Sequence, residues 1–320
     1  MKIGLIDVDG HHFPNLALMR ISAYHKTAGD AVEWWQKEAQ YDRVYMSKIF
    51  SDAYSKDTPT PENAKEVYRG GTGYAISLGQ DGKEHFNKAA HSDLPPEIES
   101  CFPDYSIYPE YDFAVSMTSR GCPRGCSFCH VQAKEGCKSY KCADVWDFYD
   151  GQKEIKVLDP NLTACRDKRE LFSQYKATGA KIDFTQGLDI RLLNGQDLED
   201  LNHMRLATIH FAWDNPAEDL EQKFKDFAQG FRRKNPGMVY VLTNFDSTLE
   251  QDLYRIRVLH ELHYDPYVMV YDKPHASKTI RHLQRWCNNK MIFKRCPRFE
   301  DYDEWVANYA KRQKEKQNKQ

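Results

Sequence analysis

The segment from Arg120 to Cys129 constrains the fold more than any other stretch of the chain. Its three cysteines, Cys122, Cys126 and Cys129, are separated by four and three residues, with Pro123 and two glycines nearby. Proline and glycine disfavour a continuous helix, so the segment is predicted to be a loop that wraps three thiolates around one centre. Three thiolates without a fourth suit a metal centre that keeps one coordination position open.

Three kinds of cysteine site could account for this loop. Zinc would use His130, which directly follows Cys129, as a fourth ligand. Ordinary zinc sites separate their ligand pairs by longer spacers, whereas these three cysteines are clustered. A disulfide would need an oxidising compartment, which nothing else in the sequence indicates. We therefore favour an iron–sulfur cluster, with zinc as the alternative.

The pattern Cys122-x-x-x-Cys126-x-Phe128-Cys129 resembles the signature of the radical S-adenosylmethionine (SAM) superfamily. The longer string from Thr118 to Cys129 is most similar to the branch that carries an N-terminal cobalamin-binding-like domain. The resemblance implies a [4Fe-4S] cluster on the three cysteines, with SAM bound to the remaining iron. It also implies cleavage of SAM to a 5′-deoxyadenosyl radical, an electron donor such as flavodoxin or ferredoxin, and adenine near the backbone of Phe128.

Strand and helix patterns alternate along the 320 residues, which predicts an α/β protein. Residues 1–79 are expected to form a small Rossmann-like parallel sheet, and the polar, proline-bearing residues 80–111 a surface linker. Residues 112–287 contain six predicted strand–helix units, for which the resemblance implies a partial (β/α)6 barrel of TIM type. Residues 288–320 form a C-terminal segment with a polar tail. The strands predicted in the second domain are 112–118, 155–158, 181–185, 208–213, 238–243 and 266–271, and the helices are 143–150, 166–178, 196–204, 217–234, 248–263 and 275–287.

The N-terminal domain lacks the usual cobalamin-ligand motif Asp-x-His-x-x-Gly. Asp9-Gly10-His11 supplies the first three positions, but no glycine follows at the required place. Cobalamin bound without a histidine ligand stays open. The pair His11-His12, with Asp7 and Asp9, could form a metal site, contact a substrate or cap the next helix. We favour residues that line a cleft, because ligands bind beyond the carboxyl ends of parallel strands. The glycine-rich run at 70–73 fits no phosphate-loop template and is predicted to be a tight turn.

The same strand-end rule selects candidate residues in the second domain. Asp159 follows the second strand, where the superfamily often carries a glutamate that meets the SAM ammonium. Arg191 follows the third strand and is a candidate for the SAM carboxylate, with a structural Asp189–Arg191 contact as the alternative. Asp214 follows the fourth strand and is a candidate for the ribose hydroxyls, although Asn215 could instead cap the next helix.

Composition restricts the remaining possibilities. The formal charge of −2 provides no global attraction to nucleic acid or membrane. No apolar run approaches the roughly 20 residues that span a bilayer, and the N-terminus lacks a signal-peptide pattern. Nine cysteines with an iron–sulfur loop indicate a reducing cytoplasm. The substrate is expected to be a small molecule or nucleotide of unidentified type.

Two alternative functions stay open. One is a cobalamin-dependent radical SAM methyltransferase. The other is a non-catalytic zinc or nucleic-acid-binding module that uses the basic residues between Arg281 and Arg298 as its contact surface. For that segment we favour a helix that packs Trp286 into the core. A methylthiotransferase is disfavoured, because no cysteine precedes Cys101 to hold a second cluster.

Overall fold

The computed structural model describes residues 1–10, 13–80 and 82–317, with side chains described through residue 309. The chain divides into two compact units. The first consists of Met1–Gln186 with His203–Ala207, and the second of Gly187–Asn202 with the chain from Thr208 onward. The predicted domain boundaries at residues 79, 111 and 287 stay predictions.

The chain begins with a four-stranded parallel sheet of order β2-β1-β3-β4. Its strands are β1 (Lys2–Asp7), β2 (Ala31–Trp34), β3 (Tyr41–Ser47) and β4 (Ala64–Gly70), and helix α1 (Leu16–Thr27) connects β1 to β2. The side chain of Asn15 caps α1 by accepting a hydrogen bond from the Leu18 N–H at 3.2 Å. Gly29 follows the helix with φ of 80°, a conformation that favours glycine. The predicted parallel sheet is confirmed, and it is consistent with a Rossmann-like domain.

The segment after β4, which includes the predicted surface linker at residues 80–111, has short regular elements, and its role as a linker stays a prediction. It contains the antiparallel pair β5 (Ile76–Leu78) and β6 (Glu84–Phe86) and the short helix α2 (Pro96–Glu99). Ile98 of α2 is buried in one apolar cluster with Ile3 and Leu5 of β1, and Leu94 and Ile107 pack against that cluster. These apolar side chains are too widely spaced to show a period, although they cover the sheet.

The first unit also contains three parallel strands in the order β7-β10-β11 and an antiparallel pair, β8 with β9. The elements are β7 (Phe113–Ser116), β8 (Ser119–Arg120), α3 (Val131–Glu135), β9 (Tyr140–Lys141), β10 (Glu154–Val157), α4 (Lys168–Thr178) and β11 (Lys181–Phe184). The helix predicted at 143–150 is wrong, because only a single 3-10 turn forms there, at Val145–Asp147. Val145 and Phe148 are both fully buried by that turn, which explains the helix-like apolar spacing.

In the second unit, strands β12, β13 and β14 pair in parallel in that order. The elements are α5 (Gly195–His203), β12 (Leu206–Ala212), α6 (Glu221–Gly230), β13 (Met238–Thr243), α7 (Leu249–Glu261), β14 (Asp265–Val270), α8 (Lys278–Asn288), α9 (Lys290–Arg295) and α10 (Tyr302–Gln317). The predicted strands and helices all occur here, although α6 begins at Glu221, so Asn215 does not cap it. The fold is thus mixed α/β with parallel sheets.

Trp286 of α8 is buried, as expected for a helix that packs into the core. Its ring packs against Phe293, with ring centroids 4.8 Å apart, and its indole N–H donates to the Cys296 carbonyl at 2.7 Å. None of the helices in the described part of the chain is both long and apolar enough to cross a bilayer.

Candidate functional site

A cleft of about 1100 Å³ lies within the first unit. It is lined by the last residues of the N-terminal strands, such as Asp7, Ser47 and Gly70, and by residues that follow β7 and β10, Met117 and Leu158. Because the strands of each sheet are parallel, the carboxyl ends of both sets face this cleft. The prediction that Asp7 and Asp9 line a cleft is confirmed. His11 and His12 lie outside the described residues.

The two aspartates at the cleft are held in place by the surrounding protein. Asp7 accepts a hydrogen bond from the Tyr108 hydroxyl at 2.6 Å, and burial together with Asp7 raises the pKa of Tyr108. The carboxylate of Asp9 accepts from the backbone N–H groups of Ile49 and Phe50, at 2.9 and 2.7 Å. These contacts fix the loop after β3 at the edge of the cleft.

The glycine-rich run at 70–73 packs against the loop after β3. Gly71 has φ of 100°, and a side chain on it would meet the Lys48 carbonyl oxygen at 2.2 Å. A side chain on Gly73 would lie 2.2 Å from the Phe50 carbonyl oxygen. The glycines therefore permit close backbone approach within a tight turn, as predicted.

The cysteine segment is a loop, as predicted. It leaves β8 and returns through α3 to β9, and the β8–β9 pair closes its base. Gly121 begins the loop with φ of 78°, and a Cβ atom there would lie 2.1 Å from the Lys138 carbonyl oxygen. The Gly121 N–H donates to Glu135 at 3.0 Å, and the Cys122 N–H donates to the Gly136 carbonyl at 3.2 Å. The first part of the loop is therefore anchored to the segment that follows it.

The three thiols of the loop differ in exposure. Cys122 and Cys126 are partly buried, and Cys129 is exposed. The side-chain amide of Asn161 donates to the Cys122 sulfur at 3.5 Å. Among the side chains of residues 1–10, 13–80 and 82–309, no three from His, Cys, Asp or Glu are drawn together closely enough to hold a metal ion.

The chemistry of this donor set nevertheless fits an iron–sulfur cluster. The loop offers three accessible thiols within eight residues, and the Asn161 amide is the kind of hydrogen-bond donor that stabilises sulfur ligands. Their assignment as ligands stays a prediction. Phe128 is partly buried in the same loop, and its predicted place near adenine also stays a prediction.

Asp159 lies beneath the start of the cysteine loop. It is 2% exposed, and its carboxylate accepts hydrogen bonds from the backbone and hydroxyl of Thr118, at 2.8 and 2.9 Å. It accepts two more from the backbone and hydroxyl of Ser119, at 2.5 and 2.6 Å. Burial raises its pKa to about 6, although the hydrogen bonds oppose that shift. These bonds give Asp159 a positioning role that the sequence did not indicate, while its contact with SAM stays a prediction.

Arg191 lies in the second unit and forms two ion pairs there. Its Nε donates to Asp189 at 2.6 Å, and its Nη1 donates to Glu218. The alternative of a structural contact between Asp189 and Arg191 is therefore confirmed. A role for Arg191 with the SAM carboxylate stays a prediction.

Asp214 follows β12 in the second unit, beside a buried arginine that sequence reasoning missed. Arg255 of α7 is 1% exposed and donates to the carbonyls of Trp213, Asp214 and Leu242 and to the carboxylate of Asp252. Burial raises the pKa of Asp214 to about 6, against the lowering effect of Arg255. The ribose contact of Asp214 stays a prediction. Only a weak sequence feature could have indicated the burial of Arg255: this charged residue stands directly before the apolar Ile256.

The cleft of the first unit is also lined by a group of charged side chains that the sequence did not indicate. Arg20 of α1 and Arg120 of β8 both pair with the same oxygen of Glu99, which belongs to α2. The Arg120 contact measures 2.5 Å. The sequence signals were weak: Arg20 stands among apolar residues of α1, and Arg120 directly precedes the cysteine loop.

No family model and no curated protein sequence matches this chain. Among solved structures, the chain is similar to the cobalamin-dependent S-adenosylmethionine radical enzyme OxsB, determined with aqua-cobalamin and S-adenosylmethionine bound. The match covers 84% of this chain and 49% of that one, with 11% identity and a TM-score of 0.38. The chain thus spans about half the length of that enzyme, and a likeness of this size carries no functional argument.

Proposed function

We propose that this chain is a radical SAM enzyme in which Cys122, Cys126 and Cys129 hold a [4Fe-4S] cluster. The observation that carries the proposal is the three-cysteine loop placed just beyond the carboxyl end of β7, beside a cleft. When bound, such a cluster would supply an open position for SAM and one electron from an external reductant; breaking the S–C5′ bond of SAM would then give methionine and a 5′-deoxyadenosyl radical. The alternating strands and helices from β7 to α8 support the further proposal of a partial (β/α)6 barrel.

The residues around the loop would prepare it for ligation. Asp159 fixes its entry through Thr118 and Ser119, and Gly121 makes the close approach to Lys138 that turns the chain. Asn161 donates to the Cys122 sulfur and so helps to orient the first cysteine of the loop. A loop held at its base loses less conformational entropy on closing around a metal centre.

The cleft would hold the substrate, a small molecule or nucleotide. Its apolar lining includes Phe13, Met117 and Leu158, which would exclude water from a reactive radical. We also propose a flavodoxin- or ferredoxin-type electron donor and a reducing, cytoplasmic setting, in which the nine cysteines of the sequence would stay reduced. Cobalamin binding by the N-terminal domain is an alternative that the purification and reconstitution experiment would detect.

Anaerobic reconstitution with iron and sulfide tests the ligand assignment. We expect a brown protein with about four irons per chain and broad visible absorption. Replacing the three loop cysteines by alanine should remove nearly all of the iron, whereas the Cys137→Ala variant should retain it. A colourless protein with one zinc would favour the zinc-binding alternative, and copurified cobalamin would favour the cobalamin-dependent methyltransferase.

A further inference from the structure

Three charged side chains form a cluster in the wall of the cleft. Arg20 is 8% exposed and its Nη1 pairs with Glu99 Oε1, while Arg120 Nη2 lies 2.5 Å from that same oxygen. The three residues come from α1, α2 and β8, and all of them line the cleft. One carboxylate therefore serves two guanidinium groups.

Within ion-pair distance, this cluster holds more cations than carboxylates. Glu135 also faces Arg120, at 4.0 Å, but it is shared with Lys134, at 3.6 Å. Three cations thus share the two carboxylates Glu99 and Glu135. Mostly buried cations without matching anions are costly, so an additional anion would stabilise the group.

One buried nitrogen atom of the cleft wall also lacks a hydrogen-bond partner among the described residues. It is Nε of Arg20, a hydrogen-bond donor on a residue that lines the cleft. Buried polar atoms are normally satisfied, so an unfilled donor in the cleft wall supports an anionic ligand there.

We propose that Arg20 and Arg120 form a receptor for an anionic group, a carboxylate or a phosphate, on a molecule that occupies the cleft. Guanidinium groups present planar pairs of N–H donors that match both kinds of anion. Arg120 stands two residues before Cys122, so the bound molecule lies beside the cysteine loop. That the molecule is the substrate rests on the proposed function, whereas the anion site itself does not.

The test uses the full chain without an iron–sulfur cluster. The chain is titrated with inorganic phosphate and, separately, with acetate at constant ionic strength. Binding is followed by calorimetry. The unaltered chain should bind at least one of the two anions saturably. A preference for phosphate indicates a phosphorylated substrate, and a preference for acetate indicates a carboxylic acid.

Substitutions of the arginines and of the glutamate are expected to change the affinity for the anion in opposite directions. Arg20→Gln and Arg120→Gln should each weaken anion binding by about tenfold or more, the usual effect of a lost charged hydrogen bond. Glu99→Gln should strengthen binding severalfold, because both guanidinium groups lose their internal competitor. Arg43→Gln is the matched control, since Arg43 pairs with Glu66 on the N-terminal sheet, and it should bind like the unaltered chain.

A purely structural ion cluster gives a different result. All three cluster variants would then unfold more easily, while the affinity for both anions stayed within about twofold of the unaltered chain. That outcome, or no saturable binding by the unaltered chain, overturns the anion site. If Arg20→Gln fails to fold, Arg120→Gln and Glu99→Gln still decide the question. If the chain binds anions but never cleaves SAM, the anion site stands and the proposed function is wrong.

Discussion

The carboxylate of Asp159 accepts hydrogen bonds from both the backbone N–H and the hydroxyl of Ser119, at 2.5 and 2.6 Å. Ser119 is the first residue of β8, and Asp159 follows the end of β10. The contact therefore ties the entry of the cysteine loop to the neighbouring parallel strand. It makes Asp159 a residue that positions the loop, whatever else it binds.

Replacing Asp159 by asparagine tests this positioning role. Asparagine has one acceptor oxygen where Asp159 has two, and its NH2 group would face donors, so buried N–H and O–H groups lose partners. We expect a loss of about 1–3 kcal/mol in the free energy of unfolding, measured with urea, and lower iron content after reconstitution. Asp150→Asn, at an exposed aspartate, is the control. Equal stability and equal iron in both variants would contradict the role.

The raised pKa of Asp159 gives a pH dependence of defined sign. Its folded-state pKa of about 6 lies above the ordinary value of 3.8, so the folded state binds the proton more tightly. The stabilising contribution is complete below about pH 4 and is lost as pH rises through about 6. The unfolding free energy of the unaltered chain minus that of Asp159→Asn should therefore fall by about 2 kcal/mol between pH 4 and pH 7. A constant difference over that range would show that burial does not raise this pKa.

Gly121 and Gly125 form a matched pair within the cysteine loop. Alanine at 121 would take up a φ of 78° and place Cβ 2.1 Å from the Lys138 carbonyl oxygen, whereas alanine at 125 would meet only Gln132, at 3.6 Å. Gly121→Ala is expected to destabilise the chain by more than about 1 kcal/mol and to reduce iron binding, and Gly125→Ala to change neither. Thermal unfolding and iron analysis of both variants provide the check. Indistinguishable variants would mean that the turn at 121 does not shape the loop.

Arg255 and Arg257 provide a similar comparison on α7. Arg255→Met would remove the donor that serves the carbonyls of Trp213, Asp214 and Leu242 and the buried carboxylate of Asp252, and we expect a loss of about 3–5 kcal/mol. Arg257 is exposed on the same helix, so Arg257→Met should stay within about 0.5 kcal/mol of the unaltered chain. Urea unfolding monitored by fluorescence measures both. A mild effect at Arg255 would show that water replaces its hydrogen bonds.

Features set by neighbouring residues could be predicted from the sequence. Strand β13 occurs at Met238–Thr243, as its apolar run predicted, and the loop at the cysteines follows from its proline and glycines. The helix predicted at 143–150 failed because apolar spacing alone does not distinguish a helix from a buried 3-10 turn.

Features that depend on distant partners could not be predicted. Arg20 and Glu99 are 79 residues apart, and Asp159 meets Ser119 across 40 residues. Arg191 and Glu218 pair across 27 residues. Local propensity carries no information about such pairs, so the sequence identified the candidate cysteines but not the groups that hold their loop in place.

The most direct test of the proposed function is formation of 5′-deoxyadenosine from SAM by the anaerobically reconstituted chain with a strong reductant. The proposal predicts product from the unaltered chain and from Cys137→Ala, and none from a variant with alanine at 122, 126 and 129. Equal product from that triple variant, or no product from an unaltered chain that holds about four irons, would contradict it.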